Sequence, residues 1–308
     1  MHDTGLRING GVGFAIESPS LTLNARPSYS FIVNDNRKSG LSNEAKNRLL
    51  NSLETALNHY SLRQAVMIDI SGEAIANHGF GSGTAIRLAS LEALMCINDH
   101  ELSNNELIDL SGRGGTSGIG INTYFSGGAV IDLGIRNSNS KHRPSSALLN
   151  ITPPLVFQRC DMPEWNIGIC IPSNIKPLTR VEEEEFFNKI CPIKESEAYK
   201  SLYHSVMGVM ASIYENDKEA FDFSIRELQK CEWKKEERKV HGDTLLEVEN
   251  ILYDIGASAV GMSSLGPSLY FSANDIDKVI TQAKRDLPNC VFFKTLPCNY
   301  GRKIQCLS

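Results

Sequence analysis

Asn77-His78-Gly79-Phe80-Gly81-Ser82-Gly83-Thr84 opens directly into residues 85–97, a segment carrying Ile86, Leu88, Ala89, Leu91, Ala93, Leu94, Met95 and Ile97. Apolar residues around most of a helix mark one that is buried inside a domain. A glycine-rich turn ahead of such a helix lets the backbone approach an anion, with several N–H groups and the positive end of the helix dipole turned the same way. The dipole contributes about 0.3–1 kcal/mol when exposed and about 2 kcal/mol when partly buried, so it steers a phosphate without holding one alone. Taken by itself, the stretch has a plainer reading as a tight strand-to-helix connection.

Two further loops share its character, Ser111-Gly-Arg-Gly-Gly-Thr-Ser-Gly-Ile-Gly120 and Gly256-Ala-Ser-Ala-Val-Gly-Met-Ser-Ser-Leu-Gly-Pro267. In a chain with 24 glycines, three donor-rich loops predict one phosphate-lined cleft, provided that they meet in space. The usual nucleotide spacings do not fit. The first loop lacks Gly-x-Gly-x-x-Gly, and no loop ends in the Gly-Lys-Ser/Thr that places a lysine on terminal phosphates.

Composition narrows the classes. At 308 residues the chain buries a large core and length favours two domains. With 41% apolar and 22% charged residues it is an ordinary globular chain, which excludes extended disorder. A net charge of −5 leaves no global basic footprint for nucleic acid, so any phosphate must be held by local groups. No run approaches the roughly 18 apolar residues of a membrane span, and no signal pattern opens the chain, so a cytoplasmic protein without a membrane partner is expected. The eight cysteines form no Cys-x-x-Cys pair and have no histidine at zinc spacing, and read as small buried hydrophobes.

Along the chain, residues 12–17, 21–25, 29–33 and 66–70 read as strands, with a helix over 43–60. Ser103 and Glu106 make a capping box for a helix ending near Gly112. A strand over 129–133 precedes the polar segment 136–146, whose Arg136, Lys141, His142 and Arg143 suit either a solvated loop or a lid over an anionic substrate. The second half begins with strands at 155–158 and 167–171. The four glutamates within 181–187 read as a helix start or a solvated acidic face rather than a metal site, and residues 196–231 as helical. Thr244 with Glu247 predicts another cap and Asn274 a further one; strands are expected at 259–262, 269–272, 291–295 and 304–307. Strand, helices, two strands, helix, strand is the ferredoxin-like order. The expected division is 1–160 and 161–308.

Loops, order and pattern together resemble the galactokinase, homoserine kinase, mevalonate kinase and phosphomevalonate kinase (GHMP) superfamily. That resemblance implies an α+β fold, with a ribosomal protein S5 domain 2-like N-terminal domain and a ferredoxin-like C-terminal domain. A nearer resemblance is to the β-ribofuranosylaminobenzene 5′-phosphate synthase family. It is carried by His78-Gly-Phe-Gly-Ser-Gly-Thr84, Gly112-Arg-Gly-Gly-Thr-Ser-Gly-Ile-Gly120, Arg143-Pro-Ser-Ser-Ala147, Pro163-Glu-Trp165, Cys191-Pro-Ile193, Ser263-Ser-Leu-Gly-Pro267 and Asn299-Tyr-Gly-Arg302. It implies a transferase joining phosphoribosyl pyrophosphate to 4-aminobenzoate, or to a similar aromatic acid such as 4-hydroxybenzoate, with loss of pyrophosphate and carbon dioxide on the route to methanopterin. A homodimer and Mg²⁺ carried with the diphosphate are implied as well.

Related kinases that use a catalytic base carry Ser-Gly-x-Asp in the second loop, whereas this chain has Ser117-Gly118-Ile119-Gly120. Loss of a general base removes about 10²–10⁴-fold of rate, which disfavours kinase chemistry. On the resemblance, Gly79, Gly81, Ser82, Gly83 and Thr84 bind the diphosphate. Gly115, Thr116, Ser117 and Ser145 join the substrate-binding set, while Arg113 and Arg143 grip phosphate oxygens bidentately. Ser263, Ser264 and Gly266 hold the acceptor carboxylate or the sugar phosphate. His78 donates to an oxygen or serves as an acid, and Asp3 orients ribose hydroxyls or meets the Mg²⁺. Glu92 and Asp132 read as structural. Relatives of this pattern place a further strand before the position of Asp3. Competing expectations are a C-nucleoside glycosyltransferase, a non-catalytic phosphate-binding homologue and, less well supported, a small-molecule kinase.

Overall fold

The computed structural model describes residues 6–114, 116–137, 142 and 152–306. Its first half runs β1 (Arg7–Ile8), β2 (Gly11–Phe14), β3 (Leu21–Ser28), β4 (Ile32–Asp35), α1 (Asn43–His59), β5 (Ala65–Gly72), α2 (Ser82–Ile97), α3 (Asn104–Ser111), α4 (Ile119–Ser126), β6 (Ala129–Asp132), β7 (Ile135–Arg136) and β8 (Val156–Cys160). The central strand β5 alternates, and Val66, Ile68 and Ile70 are wholly buried. It pairs antiparallel with β3 and parallel with β4, and its apolar face packs with Leu49, Leu53 and Ala56 of α1 and Ile86, Leu88, Leu91 and Leu94 of α2. Each such side chain contributes about 1.5–3 kcal/mol on burial. That packing fixes α2, and with it the orientation of the loop in front of it.

The second half runs β9 (Ile167–Pro172), α5 (Arg180–Ile190), α6 (Glu195–Tyr203), a π-helical stretch (His204–Met210), α7 (Ala211–Glu215), α8 (Lys218–Gln229), α9 (Glu232–Lys239), α10 (Gly242–Asp254), β10 (Ala257–Met262), β11 (Leu269–Ala273), α11 (Ile276–Asp286) and β12 (Cys290–Thr295). Its sheet has the order β10-β11-β9-β12 with every pair antiparallel, which is the ferredoxin-like arrangement. A separate sheet, β2-β6-β8, packs against this half. Ala129 and Ile131 share a core with Ile167, Ile169, Val209 and Phe221.

Several expectations change. The helix expected to be capped by Thr244 begins at Gly242 with His241 at its N-cap, so the Thr-x-x-Glu pattern lies inside the helix. The cap of α11 is Asp275, which accepts from the Lys278 amide, and not Asn274. Residues 304–306 form no strand. The helical run 196–231 is interrupted at Asn216, which is left-handed with φ 54°. Cys96 and Cys306 are exposed, unlike the buried Cys160, Cys170 and Cys231. No helix among the described residues is long and apolar enough to cross a membrane.

Candidate active site

The three glycine-rich loops meet. Gly79 has φ +89°, and a Cβ there would lie 2.1 Å from the Ser263 carbonyl oxygen, so the first and third loops touch backbone to backbone. Across this contact the Ser263 hydroxyl donates to the Gly79 carbonyl at 2.9 Å. The second loop closes the other side. A Cβ on Gly81 would sit 3.8 Å from the Gly120 Cα, and one on Gly83 would sit 3.2 Å from Nη2 of Arg113. The N-terminal ends of α2 and α4 therefore abut, each led by glycine without a side-chain cap. The amides of Thr84 and Ala85 return to the Gly81 carbonyl, leaving those of Ser82 and Gly83 without an intrahelical acceptor.

Structural groups hold each loop in place. Arg37 forms a buried bidentate pair with Asp35 and donates to the Ala74 carbonyl at 2.7 Å, setting the approach to the first loop. Burial alone would raise the Asp35 pKa, but the hydrogen bonds from Arg37 and the Leu41 amide outweigh it and hold the carboxyl below its usual range. Asp132 is 2% exposed and accepts from the Gly118 amide at 3.0 Å and the Gly134 amide at 2.9 Å, tying the second loop to the end of β6. The third loop is clasped from α9 and from the N-cap of α10. Lys234 donates to the Met262 and Ser264 carbonyls at 3.1 and 3.2 Å, and His241 Nε2 donates to the Leu265 carbonyl at 2.6 Å. Sequence reasoning missed Lys234 and His241, because nothing local ties them to a loop some 30 positions away.

His78 is buried, with Nδ1 2.7 Å from the Ala76 carbonyl. A carbonyl only accepts, so Nδ1 carries the proton and neutral His78 presents an acceptor at Nε2. It donates to a phosphate oxygen only as the imidazolium. Ser263 has committed its hydroxyl proton to Gly79, which makes it a strut between loops in this state. Thr116 is buried and Ser117 exposed at the second loop. Ser264 holds φ +51°, and Gly266 packs against Met262 and His241. Asp3, Gly115, Arg143 and Ser145 lie outside the described residues, as does most of the segment 136–146.

Two arginines, Arg113 and Arg87, stand at the cleft without an ion-pair partner among the described residues. The Nε atom of each is sealed from solvent without a hydrogen-bond partner. Burial, with Arg87 and Arg48 nearby, pulls the Arg113 pKa down to about 10, so the group stays cationic at neutral pH. The motif segment Asn299-Tyr-Gly-Arg302 has the opposite character. Arg302 is bound by Glu92, which also accepts from the Tyr124 hydroxyl at 2.6 Å. Asn299 exchanges two 2.8 Å hydrogen bonds with the Met162 backbone. The carboxylates that sequence reading set aside are thus occupied, and no cluster of three metal-ligating side chains occurs among the described residues. Among the described residues, the donor set at the loops, amides, hydroxyls and guanidinium groups, suits an anion and supplies no carboxylate for a protein-held Mg²⁺.

No protein-family model matches the chain. Among solved structures it is similar to homoserine kinase from Cytophaga hutchinsonii (TM-score 0.65, 18% identity, 94% of this chain and 90% of that one). It is also similar to Methanococcus jannaschii mevalonate kinase (TM-score 0.63, 16% identity, 94% and 92%). The fold is that of the GHMP superfamily. Among characterised sequences it is 30% identical to β-ribofuranosylphenol 5′-phosphate synthase of Methanothermobacter thermautotrophicus, over 86% of this chain and 81% of that protein. Synthases of the same name from Archaeoglobus fulgidus and Methanocaldococcus jannaschii are each 28% identical over 91% of this chain, covering 85% and 87% of their own lengths. The chain belongs to the β-ribofuranosylphenol 5′-phosphate synthase family of phosphoribosyl-transferring enzymes.

Proposed function

We propose that the protein is a decarboxylating C-glycosyltransferase of methanopterin-type biosynthesis, which joins phosphoribosyl pyrophosphate to a benzoate bearing a para amino or hydroxyl group. The carrying observation is the convergence of three glycine-rich loops on a place where amides and guanidinium groups are available and no carboxylate among the described residues pairs with them. The phenol in the relatives' name favours the hydroxyl-bearing acid, and the amino acid is its isostere.

In this reading the anomeric carbon–oxygen bond breaks and the electron pair leaves with pyrophosphate. Positive charge develops on the ribose and negative charge on the leaving group. The Ser82 and Gly83 amides and the Arg113 guanidinium stabilise that negative charge, the kind of preorganised donor set that supplies much of an enzyme's acceleration. The ring carbon bearing the carboxylate bonds to the anomeric carbon. Cleavage of the ring–carboxylate bond then returns its electrons to the ring and releases carbon dioxide. No net proton transfer is needed, which is consistent with glycine at position 120. Mg²⁺ enters this reading with the diphosphate, as part of the donor. Asp3, Arg143, Ser145 and Gly115 remain proposed substrate contacts, with Thr116, Ser117, Ser264 and Gly266.

A homodimer belongs to the same reading. Edge strand β8 and the π-helical stretch flank an open apolar groove of about 290 Å³ lined by Phe157, Val206, Met210 and Tyr214. Phe157→Asp is expected to shift sedimentation from dimer to monomer.

The function is tested by incubating purified protein with phosphoribosyl pyrophosphate and either 4-hydroxybenzoate or 4-aminobenzoate labelled in the carboxyl group. Pyrophosphate and labelled carbon dioxide released in equal amounts support it. Donor consumption without decarboxylation, or phosphorylation of a hydroxyl by ATP, would reject it.

A further inference from the structure

Arg87 belongs to no glycine-rich loop. It lies within the first two turns of α2, a helix whose other inward residues are apolar or small. Its Nη2 comes within 3.8 Å of where a Cβ on Gly112 would stand, beside the backbone that leads into Arg113. Arg113 reaches back the other way, to within 3.2 Å of the Cβ position of Gly83. The two side chains thus span the seam between the first turn of α2 and the second loop from opposite sides.

Three other arginines that are wholly or partly buried are paired with carboxylates. Arg37 grips Asp35, Arg238 binds Glu249 at 3.0 Å, and Arg302 binds Glu92. Arg87 and Arg113 have no such carboxylate among the described residues, and each leaves a sealed Nε without an acceptor, as the carboxylate-paired Arg238 also does. Arg48 of α1 adds a third positive charge close enough to disfavour the other two. Arg48 is itself paired with Glu44, and Glu183 of α5 exerts a weaker opposing pull on Arg113. A buried charge without a counter-charge costs several kcal/mol, and like charges in proximity raise that cost. Placing these cations beside a helix N-terminus with unpaired amides lowers stability in the empty protein and favours an anion that completes the set.

We propose that Arg87 and Arg113 form a two-arginine clamp on a single phosphate group at the N-terminus of α2, with Arg87 a binding residue of the site. This rests on the reading above only in that the phosphate is one end of a sugar phosphate. Guanidinium groups bind phosphate oxygens through parallel N–H donors, which a lysine cannot reproduce. The clamped group is either the 5′-phosphate or the diphosphate of the donor.

The test uses Arg87→Met and Arg87→Lys in the full chain, with inorganic pyrophosphate and ribose 5-phosphate titrated separately by calorimetry and the unliganded melting temperature recorded. Arg87→Met is expected to weaken one or both probes by about tenfold or more. The unliganded melting temperature should stay level or rise, because a repulsive charge has gone. Arg87→Lys should bind more weakly than wild type and better than Arg87→Met. Loss confined to ribose 5-phosphate assigns the clamp to the monoester end, and loss confined to pyrophosphate assigns it to the leaving group. Unchanged affinity for both probes, or affinity lost only together with the unliganded fold, overturns the proposal. Neither probe involves an aromatic acid or turnover, so failure of the transferase assay and failure of the clamp are separately visible.

Discussion

Arg302 and Arg113 both lie in glycine-containing motifs, and the structure gives them opposite surroundings. Arg302 meets Glu92 and stacks over Phe125 at 4.9 Å, pinning the C-terminal segment to α2 and α4. Arg113 meets a glycine-lined turn and lies near a second arginine, with no paired carboxylate among the described residues. A motif arginine whose charge is matched contributes to the fold. On the reading proposed above, one whose charge has no paired carboxylate among the described residues, in a donor-rich cleft, awaits an anion from outside.

The sharpest way to break that contrast is Arg113→Met. Two charge-assisted hydrogen bonds contribute about 1.5–3 kcal/mol each, so kcat/KM for the phosphoribosyl donor should fall on the order of 10³-fold. Unliganded stability should not fall. An unchanged kcat/KM, or a collapse in stability, would place Arg113 with Arg302. A second comparison lies inside the first loop. Gly79→Ala directs a methyl group at the Ser263 carbonyl from a left-handed backbone, and should cost about 2–3 kcal/mol of stability together with activity. Gly83→Ala meets only the flexible end of Arg113 and should stay within about 1 kcal/mol by urea denaturation.

Glu92→Gln examines the matched arginine. Arg302 and Glu92 are partly exposed, with side-chain exposures of 29% and 15%, so the loss should be about 1–2 kcal/mol in chemical denaturation. Activity per folded molecule should be unchanged; a fall in kcat/KM at constant folded fraction would contradict the structural assignment. The smallest effect concerns His241. Burial, reinforced by nearby His78 and opposed by the Leu265 carbonyl, holds its pKa below the ordinary histidine value. The folded protein therefore resists protonation where the unfolded chain accepts it. Stability from this group is present above the unfolded pKa of about 6.5 and declines as pH falls toward the folded value. His241→Asn should flatten the stability profile in that window, and an unaltered slope would remove His241 as its source.

Much of this architecture was legible in the sequence because it depends on local periodicity. Alternation over Val66–Ile70, the apolar circumference of α2 and the Ser103–Glu106 capping box each specify an element by its own residues. The Thr244–Glu247 pattern misled because Thr-x-x-Glu satisfies a cap only where a helix begins, and here the turn starts two positions earlier, at Gly242. The three loops were legible as donor-rich segments expected to share one cleft, which their contacts bear out, but the particular contacts Gly79–Ser263 and Gly83–Arg113 were not. Arg87 left no mark at all, since an arginine in a helix is ordinary until the absence of a neighbouring carboxylate is known. Lys234 and His241 were silent for the same reason, their partners being backbone carbonyls of a distant loop.

The most direct measurement is a crystal structure of the protein with phosphoribosyl pyrophosphate and Mg²⁺. The sugar diphosphate should lie at the seam of the three loops, with a phosphate within hydrogen-bonding distance of the Ser82 or Gly83 amide and of the Arg113 guanidinium. A donor bound on another surface, or a seam left empty at saturating donor, would contradict the account.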